Sequence, residues 1–386
     1  MRFFHLSDLH IGKQLHEYSL FSDQEYILRQ ILTKAEEYEP DAVLICGDIY
    51  DKTVPAGEAY EIFDRFLMGL SGLHIPVLII AGNHDSPKRL SYASSFLEKH
   101  QIFISTMPPR SEDEYLKKIT LSDSYGPVNF YLLPFTKPAY VRHLFSEGQV
   151  FDYDSGIREL LNRETIDENQ RNVILSHQFY QASDWMTKTC DSEQVILSVG
   201  GTDRVDAALL RSFDYAALGH LHGSQRVKFP GIRYCGSPLK YSISEEHHKK
   251  SITLVTLKEK GCPAEIEEIS LSPLRDVKTL RGKLEEILNL STDENRHNFV
   301  SVLLTDDIDP IRPKEKLCQA FDFLLDYRID NQRTRSILTE QEHAFDYLTP
   351  IEAFCAFYEE IHKIPLTEEQ RITIEQMMEK VKEDEE

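Results

Sequence analysis

"VLIIAGNHDSPKR", residues 77–89, changes character within a few positions. Residues 77–80 are an unbroken aliphatic run of the kind that fills a strand covered on both faces. Gly82 then opens a turn, and Asn83, His84 and Asp85 follow, three side chains able to bind a cation or to exchange a proton. A buried strand ending this way points to an α/β sheet, where the carboxyl ends of strands are the places a site assembles.

The same device recurs along the chain. Residues 3–6 lead into Ser7, Asp8, Leu9 and His10, and residues 42–46 into Gly47, Asp48, Ile49, Tyr50 and Asp51. Residues 173–176 lead into His177, and residues 215–218 into Gly219, His220, Leu221 and His222. A sixth apolar run covers 252–257. Between the early runs, Tyr26, Ile27, Ile31 and Leu32 share one helical face, as do Ile62, Phe63, Phe66, Leu67 and Leu70. Strand alternating with helix predicts an α/β layered sheet.

Taken singly, an Asp-x-His or Gly-Asp pair is turn chemistry, and a lone histidine after a strand is a hydrogen-bonding group. Five such endings at the same end of the same layer point instead to a site. Four imidazoles (His10, His177, His220 and His222), two carboxylates (Asp8 and Asp48) and the Asn83 carboxamide suit Mn²⁺, Fe²⁺ or Zn²⁺. The absence of cysteine from the set disfavours a structural zinc cage. Seven donors are too many for one ion and suit two that share a carboxylate, about 3.5–4 Å apart. Gly47, Gly82 and Gly219 are expected to let the backbone turn tightly before each ligand.

The rest of the composition bounds the function. The chain has 386 residues, enough for two or three domains, and its 43 Lys and Arg against 64 Asp and Glu leave a net charge of −21. That field argues against nonspecific adhesion to nucleic acid or anionic membrane, so a polyanionic substrate must be drawn by a local positive pole or by a partner. The six cysteines form no C-x-x-C pair, which suggests neither a zinc knuckle nor a disulfide framework. The opening "MRFFHLSDLH" does not read as a signal peptide, and no segment approaches about 18 apolar residues, so a cytoplasmic protein is expected.

Near Pro273 the pattern changes. Leu280, Leu284, Ile287 and Leu288 predict a helix, residues 299–304 a strand, 317–325 a helix and 327–329 a strand, together a small α+β unit. From about Glu340 the chain reads as helical and acidic. Thr349-Pro350-Ile351-Glu352 and Thr367-Glu368-Glu369-Gln370 read as capping boxes. Ile351, Phe354, Cys355, Tyr358, Ile361 and His362 line one face, which either docks on the chain's own core or receives a partner helix. The expected domains are 1–273, 274–338 and 339–386.

The ordered set "DLH", "GDIYD", "GNHD", "SH" and "GHLH" resembles the calcineurin-like metallophosphoesterases over about residues 1–260. Within them, "HLSDLHIGK", "GDIYDKTVP" and "YCGSPLKYS" resemble the nuclease subunits of bacterial nuclease–ATPase complexes, along nearly the whole chain. The resemblance implies a layered β-sandwich core flanked by helices, a small α+β capping domain and a C-terminal helical segment. It implies one metal on Asp8, His10, Asp48 and His222 and a second on Asp48, Asn83, His177 and His220, both most naturally Mn²⁺, with Asp48 bridging. It makes His84 the group serving the leaving oxygen, oriented by Asp85.

The activity implied is metal-dependent hydrolysis of DNA phosphodiesters, as a double-strand 3′-5′ exonuclease and a single-strand or hairpin endonuclease in DNA end processing, replication and recombination. The partners implied are DNA, an ATPase whose coiled coil the C-terminal helices grip, and a second copy of the chain. The homodimer would form through helices that include residues 62–70 and 92–97. Asp51 departs from relatives that carry a phosphate-handling histidine there, and is expected only to cap a turn. Lys88, Arg89, Lys137, Arg142 and Lys240 are scattered candidates for backbone contact. A nucleotide or phosphoprotein phosphodiesterase, or a noncatalytic scaffold of the same fold, are the competing readings; the scaffold predicts missing ligands, and none is missing.

Overall fold

The computed structural model describes residues 1–182, 185–193, 203–331, 350–374 and 377. The chain falls into two compact units, the first made of Met1–Thr279, Asp293–Ser301 and Phe321–Leu325, the second of the remainder.

The first unit is built on two six-stranded sheets. One holds β1 (Arg2–Leu6), β2 (Ala42–Cys46), β3 (Val77–Ile80) and β4 (Ile102–Ser105), all parallel, with Ser251–Thr256 and Glu265–Ser270 added antiparallel beyond β1. The parallel strands are joined through α1 (Phe21–Tyr38) and α2 (Gly57–Gly72), since a parallel pair needs a long crossover. The other sheet runs Gln225–Arg226, Ile232–Tyr234, Tyr215–Leu218, Arg171–Ser176, Gly126–Leu133, Lys117–Asp123, and the middle four strands are parallel.

Strand periodicity sorts each apolar run between two cores. In β2, Ala42, Leu44 and Cys46 face the gap between the sheets while Val43 and Ile45 face the helices. The gap is also filled by Phe3, Leu78, Ile80, Phe130, Val173, Leu175, Tyr215 and Ala217, drawn from both sheets. On the outer side of the first sheet lie Ile27, Ile31, Phe63, Phe66 and Leu70 of α1 and α2. On the outer side of the second lie Ile157 and Leu160 of the helix Tyr153–Arg163, beside Ile174, Ala216 and Leu218. Burial on both faces explains why "AVLIC" carries no polar residue. Phe3 locks the two sheets, its ring meeting Phe130 at 5.7 Å and Tyr215 at 5.8 Å edge-on, contacts worth roughly 0.5–1.5 kcal/mol each beyond burial.

The five site-bearing strands therefore do not share one layer, as the sequence pattern suggests. β1, β2 and β3 belong to one sheet, and Arg171–Ser176 and Tyr215–Leu218 to the other. Their carboxyl ends still meet, because Asp8 N donates to the Gly47 carbonyl (3.0 Å), Gly219 N to the Ser176 carbonyl (3.0 Å) and Phe135 N across the sheets to the Ala81 carbonyl (2.8 Å).

Further along, Leu280 lies in the strand Val277–Gly282 and not in the helix, which covers Leu284–Asn289. The strand Phe299–Leu304 is as expected. The next helix ends at Ala320, and the last strand begins at Phe323, where a helix is expected to 325. A helix spans Pro350–His362, and Thr367 and Gln370 cap one another reciprocally at 3.0 and 3.4 Å. Thr349 of the first capping box, and the side chains of Ile361 and His362, lie outside the described residues.

Candidate metal centre

Each candidate ligand sits on the first few residues past a strand, and four of the seven hold a backbone conformation that few residues adopt freely. Asp8, His10 and Asp48 have φ of 53°, 42° and 49°, and His220 has φ of 106°. Such conformations cost about 1–3 kcal/mol each and persist only where the surroundings over-determine them. The glycines do more than turn. Gly47 has φ +90°, but Gly82 and Gly219 are needed for space: a Cβ at Gly82 would lie 2.1 Å from Asp48 Oδ1, and one at Gly219 1.9 Å from the Cys46 carbonyl oxygen.

The seven side chains converge. Asp8, His10 and His222 can offer atoms that all lie within 4.8 Å of one another, as can His10, Asp48 and His84, and Asp8, Asp48 and His177. Asn83 Oδ1 is 3.1 Å from both His177 Nε2 and His220 Nδ1. His10 Nε2 faces His222 Nε2 at 3.2 Å, and Asp48 Oδ2 lies 3.4 Å from His177 Nε2. Asp8 accepts from Ser7 Oγ (2.6 Å) and from His220 N (3.1 Å), and Asp48 Oδ1 accepts from His84 N (2.9 Å). The His177 ring is set by the Cys46 carbonyl, 2.7 Å from Nδ1. A carbonyl only accepts, so Nδ1 carries a proton and Nε2 turns to the cluster.

Charge in this cluster is out of balance. Asp8 and Asp48 are 0 % and 2 % exposed. Burial raises the Asp8 carboxyl above the usual range against the pull of His177 and His222. Burial works the same way on Asp48, but attraction and a hydrogen bond from His177, with His10 and His84, hold it well below that range. Burial drives His10 well down and His220 down to about 3, the latter helped by repulsion from His177. Burial also opposes charge on His177, yet Asp48 and Asp8 raise it to about 9. His10 Nδ1, buried, makes no hydrogen bond. Two buried carboxylates set among four buried imidazoles are the donor chemistry of a divalent cation site.

His84 lies at the edge of this cluster, its side chain 13 % exposed, with Nε2 3.9 Å from Asp48 Oδ2. Its ring is oriented by the backbone carbonyl of Asp51, 2.8 Å from Nδ1, and not by Asp85. Asp85 instead accepts from Gly82 N (2.9 Å), Tyr50 N (3.1 Å) and Ile49 N (3.2 Å), tying the loops after β2 and β3 together. Burial, then repulsion from Asp48, raises its carboxyl to about 6 against those three donors. Asp51 does more than cap a turn: besides orienting His84 it pairs with Lys13 Nζ at 2.9 Å and stands 3.7 Å from His10 Nδ1.

Several supporting residues carry no signal in the sequence. Glu245 and Lys250 are buried beneath His222, and Ser192 and Glu193 hold it from another loop. "SEEHHKK" reads as a solvated charge run, and nothing in its spacing marks two of its members as interior. Among the basic candidates, Lys88, Arg89, Lys137 and Arg142 are exposed, whereas Lys240 is paired with Asp276 at 2.8 Å. Arg142 Nε donates to the Val150 carbonyl (3.0 Å).

The chain belongs to the calcineurin-like phosphoesterases, whose family model matches residues 1–224. A second model, described as the type 5 capsule protein repressor C-terminal domain, matches residues 273–362. Within the family the likeness is to the SbcD nuclease subunits: the chain is 32% identical over 329 residues to the D subunit of the SbcCD nuclease of Staphylococcus epidermidis, covering 84% of each. Among solved structures, that of TT1561 of Thermus thermophilus aligns with TM-score 0.39 and 13% identity, over 69% of this chain and 98% of that one.

Proposed function

We propose that this chain is a metal-dependent DNA nuclease that acts with an SbcC-type ATPase. The observation that carries this reading is the convergence of seven side chains able to ligate metal from five strand ends of two sheets, in a chain related along most of its length to a nuclease subunit.

Asp8, His10, Asp48 and His222 would hold one divalent ion, and Asp48, Asn83, His177 and His220 a second. Mn²⁺ is the ion we assign, on imidazole, carboxylate and carboxamide donors with no thiolate. When bound, the pair supplies a water of lowered pKa and neutralises phosphate charge. The protein's own groups do the rest. The anionic field of the chain leaves this cluster as the point where a phosphodiester is drawn in.

His84 has its Nδ1 proton committed to the Asp51 carbonyl, so the neutral ring presents a bare Nε2 and only the imidazolium can donate there. We assign it, as imidazolium, the proton that the departing 3′ oxygen requires. Asp51, through that carbonyl, keeps Nε2 turned to the site. Lys88, Arg89 and Lys137, all exposed, are available to the DNA backbone.

The domain boundaries we assign are 1–273 for the nuclease core, 274–338 for the capping unit and 339–386 for the segment that grips the ATPase. Phe354, Tyr358, Leu366 and Ile374 line a groove in that last segment, suited to an apolar helix. In a homodimer, α2 would not contribute Ile62, Phe63, Phe66 or Leu67, which are buried in the chain's own core. Met68, Tyr92 and Phe96, at 66 %, 83 % and 62 % exposed, are free to do so. No described helix is long and apolar enough to cross a membrane, in keeping with work on cytoplasmic DNA.

The test is cleavage of end-blocked and hairpin duplexes by the purified protein in manganese, with and without SbcC, beside a cyclic nucleotide. Cleavage of DNA that SbcC stimulates is expected. Turnover of the nucleotide alone would move the assignment to the nucleotide phosphodiesterases. Removing residues 345–386 should spare a small phosphodiester substrate and abolish copurification with SbcC.

A further inference from the structure

A buried ion pair underlies His222 and belongs to none of the candidate ligands. Glu245 is 0 % exposed and Lys250 7 %. Lys250 Nζ has three protons and meets three acceptors: the His222 carbonyl at 2.9 Å, Ser237 Oγ at 2.8 Å and Glu245 Oε2 at 2.5 Å. Ser237 Oγ gives its own proton to the Leu239 carbonyl (2.8 Å), so toward Lys250 it can only accept. The ammonium is thereby complete, and Glu245 is its counter-ion.

The other carboxylate oxygen reaches the site. Glu245 Oε1 accepts from Tyr241 N at 3.0 Å and from Ser192 Oγ at 2.5 Å. A hydroxyl has one proton. With that proton on the carboxylate, Ser192 Oγ must accept in its 2.7 Å contact with His222 Nδ1. In the neutral ring the proton is then on Nδ1, and Nε2, which faces His10 Nε2 at 3.2 Å, is bare. The backbone of His222 is held as well, its N–H donating to Glu193 Oε1 at 2.6 Å.

We propose that Glu245, anchored by Lys250, is a positioning residue that acts through Ser192 to fix His222 as the Nδ1–H tautomer and turn its unprotonated Nε2 into the metal centre. This rests on the dinuclear reading of the site, but the tautomer can be read without any ion. Partners of this kind orient ligating histidines, and their loss typically weakens metal binding about 10- to 100-fold. The relay joins two segments far apart in the chain, Ser192 in a loop and Glu245 at the end of the 3-10 turn Ile243–Glu245, so the ring is set only once both have folded onto His222.

The test uses the full chain and three variants, Ser192→Ala, Ser192→Thr and Glu245→Gln. Imidazole ¹⁵N shifts of metal-free protein give the tautomer, with His222→Gln assigning the signal, and manganese titration calorimetry gives affinity and stoichiometry. Wild type is expected to show Nδ1–H and two ions. Ser192→Ala should lose the fixed tautomer and weaken one ion by about 10- to 100-fold with an unchanged melting temperature, while Ser192→Thr retains both. An Nε2–H ring in wild type, or a Ser192→Ala protein with wild-type tautomer and affinity, overturns the relay and leaves the metal centre standing. A wild-type protein that shows Nδ1–H but takes up no manganese overturns the metal centre, and the relay's purpose with it. Should Glu245→Gln fail to fold, the two Ser192 variants decide the matter.

Discussion

Replacing Gly219 by alanine tests how tightly the two sheets close around the site. The new Cβ would stand 1.9 Å from the Cys46 carbonyl oxygen, 2.0 Å from Ser7 Oγ and 2.7 Å from His177 Nδ1. Real Cβ atoms keep at least 3.0 Å, so the backbone after Tyr215–Leu218 must retreat from that after β2 by about 1 Å. The Cys46 carbonyl cannot swing aside as a side chain would, since it is backbone and already accepts from the His177 ring (2.7 Å). Overpacking of this kind costs roughly 1–3 kcal/mol. The catalytic loss is larger, because a displacement of about 1 Å at a reacting centre costs about 100-fold in rate. Urea unfolding and manganese-dependent hydrolysis of a small phosphodiester read the two effects. Gly57→Ala, with nothing within 4 Å of its Cβ, is the control. Wild-type stability and turnover in Gly219→Ala would refute the close apposition described above.

His84→Ala should abolish hydrolysis and leave the manganese content at two ions; loss of bound metal would show that His84 is a ligand. Lys250→Met strands Glu245 as an unpaired buried charge, and a loss of about 3–5 kcal/mol is expected in denaturant unfolding. The Arg171 guanidinium, hydrogen-bonded to Asp123, holds that carboxyl below the ordinary 3.8. An acid whose folded pKa is depressed adds stability that is complete above its unfolded value and lost as pH falls through the folded one. Melting temperatures below about pH 4 should therefore fall less in Asp123→Asn than in wild type, and parallel acid limbs would contradict the pairing.

The site was more legible than the framework that carries it. Asp8, Asp48, Asn83 and the four histidines are legible because each lies within four residues of the end of a buried apolar run. That the strands divide between two sheets could not be read, since a strand buried on both faces looks the same whichever layer it joins. The helix expected to 325 failed for a similar reason. Leu317, Phe321, Leu324 and Leu325 satisfy helical spacing, yet Phe323–Ile329 is extended and Phe323 packs on Phe299 at 5.3 Å. The amphipathic face of α2 is legible in its spacing, and that face packs into the chain's own core. Asp85 and Asp51 were misassigned because sequence shows which groups are near but not which backbone donors they meet.

Manganese-soaked crystals, measured at the manganese absorption edge, bear most directly on the dinuclear centre. Two anomalous peaks are expected about 3.5–4 Å apart, sharing Asp48, one against Asp8, His10 and His222 and the other against Asn83, His177 and His220. No peak among these side chains, or a single ion elsewhere, would contradict it.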